Sequence, residues 1–196
     1  MSTDPETLAA YGARADAYAR RVADWDDPAL QRFIDALPPG AQVLDLGCGP
    51  GHAAAAMAGA GLRVEATDAV PEMVALAGET PGVTARLATF DDIVEEDAYD
   101  GIWASFSLLH APRDTLPRHL AALRRALKPG GLFHIGMKLG TGEARDALGR
   151  LYTYVTEAEL RGLLKDAGFA PGAATQGRDR GLDGTLADWI VITAHG

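Results

Sequence analysis

Val43-Leu44-Asp45-Leu46-Gly47-Cys48-Gly49-Pro50-Gly51 decides the fold. Its first residues form a short apolar run of strand type, and three glycines in alternate positions then break it. An alanine-rich stretch over about 52–60 follows and reads as a helix closed by Gly61. A strand running into a glycine turn and then a helix lets backbone N–H groups approach a ligand closely, and the helix N-terminus favours negative charge. The spacing narrows the ligand. A dinucleotide fingerprint G-x-G-x-x-G needs glycine at position 52, and His52 stands there, so a nicotinamide oxidoreductase is disfavoured.

The alternation continues on both sides. The first forty residues read as helical: Asp27-Pro28 is an N-cap with proline at the first helical position, and Pro38-Pro39-Gly40 stops the helix. After the glycine turn, strands are expected at 62–67, 83–88, 99–104 and 132–137, with helices at 72–77 and 116–127. Thr156 with Glu159 predicts a capping box before Leu160, Leu163 and Leu164, and Gly168 supplies the C-terminal glycine. Two last strands, about 169–175 and 189–193, are separated by the glycine-rich, charged Gln176–Gly184. They are expected to pair antiparallel at one edge. The predicted class is α/β, a three-layer sandwich with a mostly parallel seven-stranded sheet whose last strand is antiparallel. Residues 1–40 form a helical extension, and 41–196 the Rossmann-like domain.

Composition agrees with a single globular domain: 196 residues, 47% hydrophobic and 23% charged. No apolar run approaches the roughly 20 residues of a membrane helix. The acidic start lacks a basic region followed by an apolar one, so no secretory signal is read. One cysteine, Cys48, permits no internal disulfide and no cysteine metal cluster, which points to a reducing, cytoplasmic setting and no metal. A net charge of −9 opposes a phosphate-backbone binder. The expected partner is a small molecule rather than nucleic acid or membrane, with the protein a monomer or homodimer.

The run Asp-Leu-Gly-Cys-Gly-Pro-Gly resembles the first motif of class I S-adenosylmethionine-dependent methyltransferases, in the bacterial group acting on small molecules. Leu127-Lys128-Pro129-Gly130-Gly131 resembles that family's turn into its fifth strand, and weaker similarity covers nearly the whole chain from about residue 7. The resemblance implies S-adenosylmethionine as cofactor. The loop with Gly47, Gly49 and Gly51 would wrap its methionine part, and Asp45 would contact its amino end. Asp68, at the end of the second strand beside Ala69, would accept hydrogen bonds from the ribose hydroxyls; capping the next helix is its other reading. Met73 would pack on the adenine or simply fill the core. The usual acidic adenine contact falls on Thr89, leaving Phe90 and Asp91 as substitutes. Ser105, just after the fourth strand, would lie on the cofactor side.

His110 is the candidate general base, because imidazole titrates near neutral pH; a structural or capping histidine is the alternative. Lys138, Arg145 and Tyr152 lie in or beside a loop expected on the substrate side, where the cations suit an acidic acceptor and Glu143 a basic one. Tyr11 and Tyr18, seven apart on one expected helix, share a face. The resemblance places that helix over the cofactor, with Tyr18 towards cofactor and Tyr11 towards substrate. A cofactor-binding regulatory protein without transfer activity and a protein or RNA methyltransferase are the rival readings.

Overall fold

The computed structural model describes residues 3–22 and 27–196. Its elements are α1 (Pro5–Gly12), α2 (Ala15–Val22), α3 (Pro28–Asp35), β1 (Gln42–Leu46), α4 (His52–Gly59), β2 (Arg63–Asp68), α5 (Pro71–Gly78), β3 (Val83–Leu87) and β4 (Tyr99–Ser105). There follow α6 (Leu116–Ala126), β5 (Leu127–Lys138), β6 (Glu143–Arg145), β7 (Leu151–Thr153), α7 (Glu157–Asp166), β8 (Ala170–Arg180) and β9 (Leu186–His195). A seven-stranded sheet has the order β3-β2-β1-β4-β5-β9-β8, and β6 with β7 makes a separate two-stranded sheet. β1 to β5 pair in parallel, and β9 runs antiparallel to both its neighbours.

Strand alternation divides the interior into two cores, one on each face of the sheet. Val43 and Trp103 pack with Leu30 and Phe33 of α3 and with Met57 of α4. Their chain neighbours Leu44 and Ile102 pack with Leu120 and Leu123 of α6 and Leu160 and Leu164 of α7. The expected three-layer α/β sandwich is therefore present, and Trp103, 2% exposed, is buried in it. It stacks on His134 at 3.7 Å between ring centroids, and burial holds that histidine down at about 3.

Four local expectations need correction. The helix carrying Tyr11 and Tyr18 is two helices, broken at Ala13–Arg14, where the Arg14 N–H donates to the Tyr11 carbonyl. The two rings nevertheless meet edge to face, with centroids 5.7 Å apart. The Thr156 capping box is half formed: Thr156 Oγ1 accepts from the Glu159 N–H, but the Glu159 carboxylate pairs with Arg113 instead of turning back. The glycine-rich segment after residue 175 is mostly strand, since pairing runs from Gln176↔Ile190 to Arg180↔Leu186. Its charges are cross-strand partners: Arg178 meets Asp188 at 2.9 Å, and Asp179 accepts from Trp189 Nε1 at 2.7 Å. Finally, the region expected as a substrate-side loop contains the β6–β7 hairpin. No helix among the described residues is long and apolar enough to cross a membrane.

Candidate active site

Strand order reverses between β1 and β4, and the crevice outside the carboxyl ends of the strands at that point is where open α/β sheets bind ligands. An open cavity of about 790 Å³, including its mouth, lies there. The glycine turn forms part of its wall. Gly47 and Cys48 both donate backbone N–H groups to the Thr67 carbonyl, at 2.7 and 2.9 Å, which ties the turn to the end of β2. Gly47 has φ +68°, and a Cβ there would lie 2.4 Å from Ser107 Cβ, so only glycine lets the segment after β4 approach the loop.

Gly51 serves a different purpose from Gly47 and Gly49. It is not on the cavity wall, and a Cβ on it would sit 2.8 Å from the Ala77 backbone in α5, at φ +88°. Gly51→Ala is therefore expected to cost about 2 kcal/mol or more of stability through backbone strain and overpacking. The urea unfolding midpoint measures it, and an unshifted midpoint would show that α5 can move aside.

Asp68 faces the cavity with both carboxylate oxygens already employed. Oδ2 accepts from the Gly49 N–H and Oδ1 from the Val70 N–H, each at 2.9 Å. Burial raises its pKa, against the pull of these backbone donors. The bond to Val70 is a local turn two residues on, while α5 itself has no side-chain N-cap. Asp45 lies behind the wall, 3% exposed, and its Oδ2 has no partner among the described residues. Burial, reinforced by the nearby Asp68 charge, pushes its carboxyl up to about 7. Tyr18 reaches over the turn, with Cε1 3.4 Å from where a Gly49 Cβ would be. Met73, Val70 and Ala15 form a small cluster with Leu8, Tyr11 and Tyr18, and this anchors α1 and α2 to the start of α5.

Ala69, Phe90 and Ser105 also line the cavity, as do Tyr11 and His110. His110 sits in a short 3₁₀ turn over 108–110, and both its ring nitrogens have protein partners. Nδ1 is 2.6 Å from the Leu151 carbonyl, and Nε2 is 2.9 Å from the Tyr11 hydroxyl. Burial holds its pKa down at about 4; the Leu151 carbonyl opposes the shift, and the Arg150 and Lys138 charges add to it.

The remaining sequence candidates stand off the cavity wall. Arg145 is engaged by the N-terminal segment, donating to both Asp4 oxygens at 2.7 and 2.8 Å. Lys138 lies with Nζ 3.6 Å above the Tyr152 ring, and Tyr152, 3% exposed, packs behind His110. Asp91 pairs with Arg118 at 2.8 Å. Thr89 holds a complete capping box: its Oγ1 accepts from the Asp91 N–H, and its own N–H donates to Asp92. The missing acid at 89 thus has a structural use, and Thr89 itself is on the wall.

Sequence reasoning missed two parts of the wall. One is the set of residues at and before the start of α1, where Thr3, Asp4, Thr7 and Leu8 line the cavity beside the expected Tyr11. The other is Phe106, a non-glycine residue at φ +56° that is 37% exposed and on the cavity wall. Its N–H donates to the Gly136 carbonyl, and a Cβ at 136 would lie 3.0 Å from that nitrogen and 3.2 Å from the ring. No pattern in the sequence marks a left-handed phenylalanine.

A methyltransferase domain family model matches residues 43–131, the stretch from β1 into the start of β5 that contains the glycine turn and Asp68. Over those residues the chain is similar to that methyltransferase family. The chain is 32% identical over 127 residues to a ubiquinone biosynthesis O-methyltransferase of Xanthomonas oryzae pv. oryzae, covering 55% of this chain and 52% of that protein. It is 28% identical over 174 residues to the 2-methyl-6-phytyl-1,4-hydroquinone methyltransferase of Synechocystis, covering 82% and 53%. The chain spans about half the length of the curated relatives it matches. Among solved structures, the chain is similar to the Burkholderia thailandensis 1,6-didemethyltoxoflavin-N1-methyltransferase with bound 1,6-didemethyltoxoflavin and S-adenosylhomocysteine. The TM-score is 0.73 at 27% identity, over 100% of this chain and 91% of that one.

Proposed function

We propose that this domain transfers the methyl group of S-adenosylmethionine to a small-molecule acceptor in the cytoplasm, with residues 41–196 as the catalytic domain and the helical segment before them as its cap. The observation that carries the reading is the juxtaposition of the glycine turn and Asp68 with Tyr11 and His110 on the wall of one cavity. The residues fit the cofactor's chemistry. Asp68 offers a carboxylate to a ribose diol, and Gly47 and Gly49 leave room for close backbone approach. Asp45 keeps a buried oxygen unpartnered, suited to a cationic amino group reached directly or through water. Tyr18 and Met73 supply apolar surface beside the turn, and Ala69, Phe90 and Ser105 complete the cofactor side.

The bound cofactor supplies an electrophilic sulfonium methyl, and the domain has to orient the acceptor and exclude water. Holding two reactants in line contributes on the order of 7–11 kcal/mol, which makes positioning the main task of the fold. Relatives named for ubiquinone biosynthesis, for 2-methyl-6-phytyl-1,4-hydroquinone and for 1,6-didemethyltoxoflavin support a small-molecule acceptor. Isothermal titration with S-adenosylhomocysteine tests the reading, and folded protein that does not bind it would remove the proposal.

His110 as a base requires the neutral imidazole. Its pKa is held at about 4, below the ordinary value of about 6.5, so the neutral form persists through neutrality and is lost only as pH falls through about 4. The expected kcat/KM profile is flat on this limb from pH 8 down to about 5. A break near pH 6.5 would mean that the ring is solvated in the working enzyme. Linkage has the same sign: the neutral buried ring contributes stability above pH 6.5, and that contribution declines as pH drops towards 4.

A further inference from the structure

A hydrogen-bonded chain of side chains, Asp146–Arg150–Tyr11–His110, runs from the β6–β7 hairpin to the cavity. Arg150 is 2% exposed, and its guanidinium donates to Asp146 Oδ2 at 2.6 Å and 2.9 Å. None of the four belongs to the loop or strand ends suited to the cofactor. The direction of each bond is fixed by what the atoms can do. A carbonyl oxygen only accepts, so His110 Nδ1 carries the proton it gives to Leu151. Nε2 is then the lone-pair nitrogen and accepts from the Tyr11 hydroxyl. Arg150 only donates, and its Nη1 gives a proton to the Tyr11 oxygen at 2.8 Å. The tyrosine proton is therefore committed to His110, and the histidine's free lone pair meets Tyr11 in place of open cavity.

We propose that Tyr11 takes the proton from the methyl acceptor while handing its own to His110 Nε2, with Arg150 and Asp146 as positioning residues. The proposal rests on the methyl-transfer reading and narrows the acceptor to a neutral molecule attacking through O–H or N–H. As the attacking atom bonds to the methyl carbon, the carbon–sulfur bond breaks and its electron pair stays on sulfur. The proton left on the attacking atom becomes strongly acidic at that moment. It moves to the Tyr11 oxygen, and the tyrosine proton crosses the existing hydrogen bond to Nε2. The products are a methylated neutral acceptor, a thioether and an imidazolium at His110, which then returns its proton to water.

The electrostatics suit a concerted step. Burial raises the Tyr11 pKa, while Arg150 and the Tyr152 hydroxyl favour the anion and Asp146 opposes it. Tyr11 thus remains protonated at rest. His110 faces Arg150, Lys138 and Asp146 and is a weak base. A weak base suffices for a proton that turns acidic only during transfer, and it is not blocked by protonation near neutral pH.

The test uses the whole protein with Tyr11→Phe and Arg150→Lys. The acceptor is recovered from a cell extract by transfer of an isotopically labelled methyl group and identified by mass. An acceptor with an exchangeable O–H or N–H is expected. Tyr11→Phe should lower kcat a hundredfold or more with S-adenosylhomocysteine affinity within threefold of wild type. Arg150→Lys keeps the charge but loses the fork, and should lower kcat about tenfold. Both variants should shift the ¹⁵N resonance of His110 Nε2. A Tyr11→Phe kcat within threefold of wild type, an unmoved Nε2 resonance in that variant, or an acceptor with no proton to lose would each overturn the proposal. Absence of S-adenosylhomocysteine binding by the wild type would instead remove the methyl-transfer reading, and this one with it.

Discussion

Asp68→Ala is expected to weaken S-adenosylhomocysteine binding at least a hundredfold, equivalent to about 3 kcal/mol. Two effects add. Hydrogen bonds from ribose hydroxyls to a carboxylate are charge-assisted and contribute about 1.5–3 kcal/mol each. The same carboxylate holds the Gly49 and Val70 N–H groups at 2.9 Å, so its removal also releases the turn from the start of α5. Asp68→Asn separates the two, because an amide oxygen still accepts from one of those donors but brings no charge. Titration calorimetry on both variants gives the comparison. A less than threefold loss for the alanine variant would end the ribose assignment, whatever the activity of the protein.

Arg150→Met should lower stability by about 3–5 kcal/mol, because it strands Asp146 as a buried carboxylate. Both side chains are nearly inaccessible, 3% and 6% exposed. The Asp146 oxygens also accept from the Leu148 and Arg150 N–H groups, so the aspartate organises the turn between β6 and β7. In a chain of this length each kcal/mol moves the melting temperature by about 2–4 °C, so a fall of about 10 °C is expected. Arg178→Ala is the contrasting case. Its pair with Asp188 is 64% and 53% exposed, and exposed pairs contribute about 0–1 kcal/mol. Melting curves of equal midpoint for the two variants would show that water reaches Asp146 once the arginine is gone.

The parts of the site written in local sequence were legible. Val43–Gly51 announced a strand, a turn and a helix in succession, and Asp68 follows at the end of the neighbouring strand. Their roles depend on backbone geometry that short motifs encode. Tyr11 and His110 were singled out as types of residue, but their hydrogen bond joins positions 99 apart and no spacing rule foretells it. Arg145 and Lys138 looked like free cations for an acidic substrate. Tertiary structure supplies each with a protein partner, Asp4 for one and the Tyr152 ring for the other. Thr89 read as a missing acid, although Thr-x-x-Asp is itself a capping signature; the turn it starts was too short for periodicity to show. The antiparallel β8–β9 pair was expected, but its extension over 176–188 escaped because glycine and charge suggest a loop. There Gly177 makes room for the Trp189 ring, which a Cβ would meet at 2.2 Å, and opposite charges face each other across the strands.

Phe106 and Gly136 form a lock-and-notch pair, and this makes the shape of the cavity wall at Phe106 a two-position trait. A methyl group at 136 would press on both the backbone and the ring of Phe106, so position 136 is not free to vary while the ring stays. Trimming Phe106 alone removes bulk from a wall residue but leaves a small side chain in a left-handed conformation that glycine tolerates best. Libraries aimed at larger or smaller acceptors therefore gain most by varying the two codons together, with Phe106→Gly as the fullest trimming of that wall and Gly136→Ala sampled only beside it.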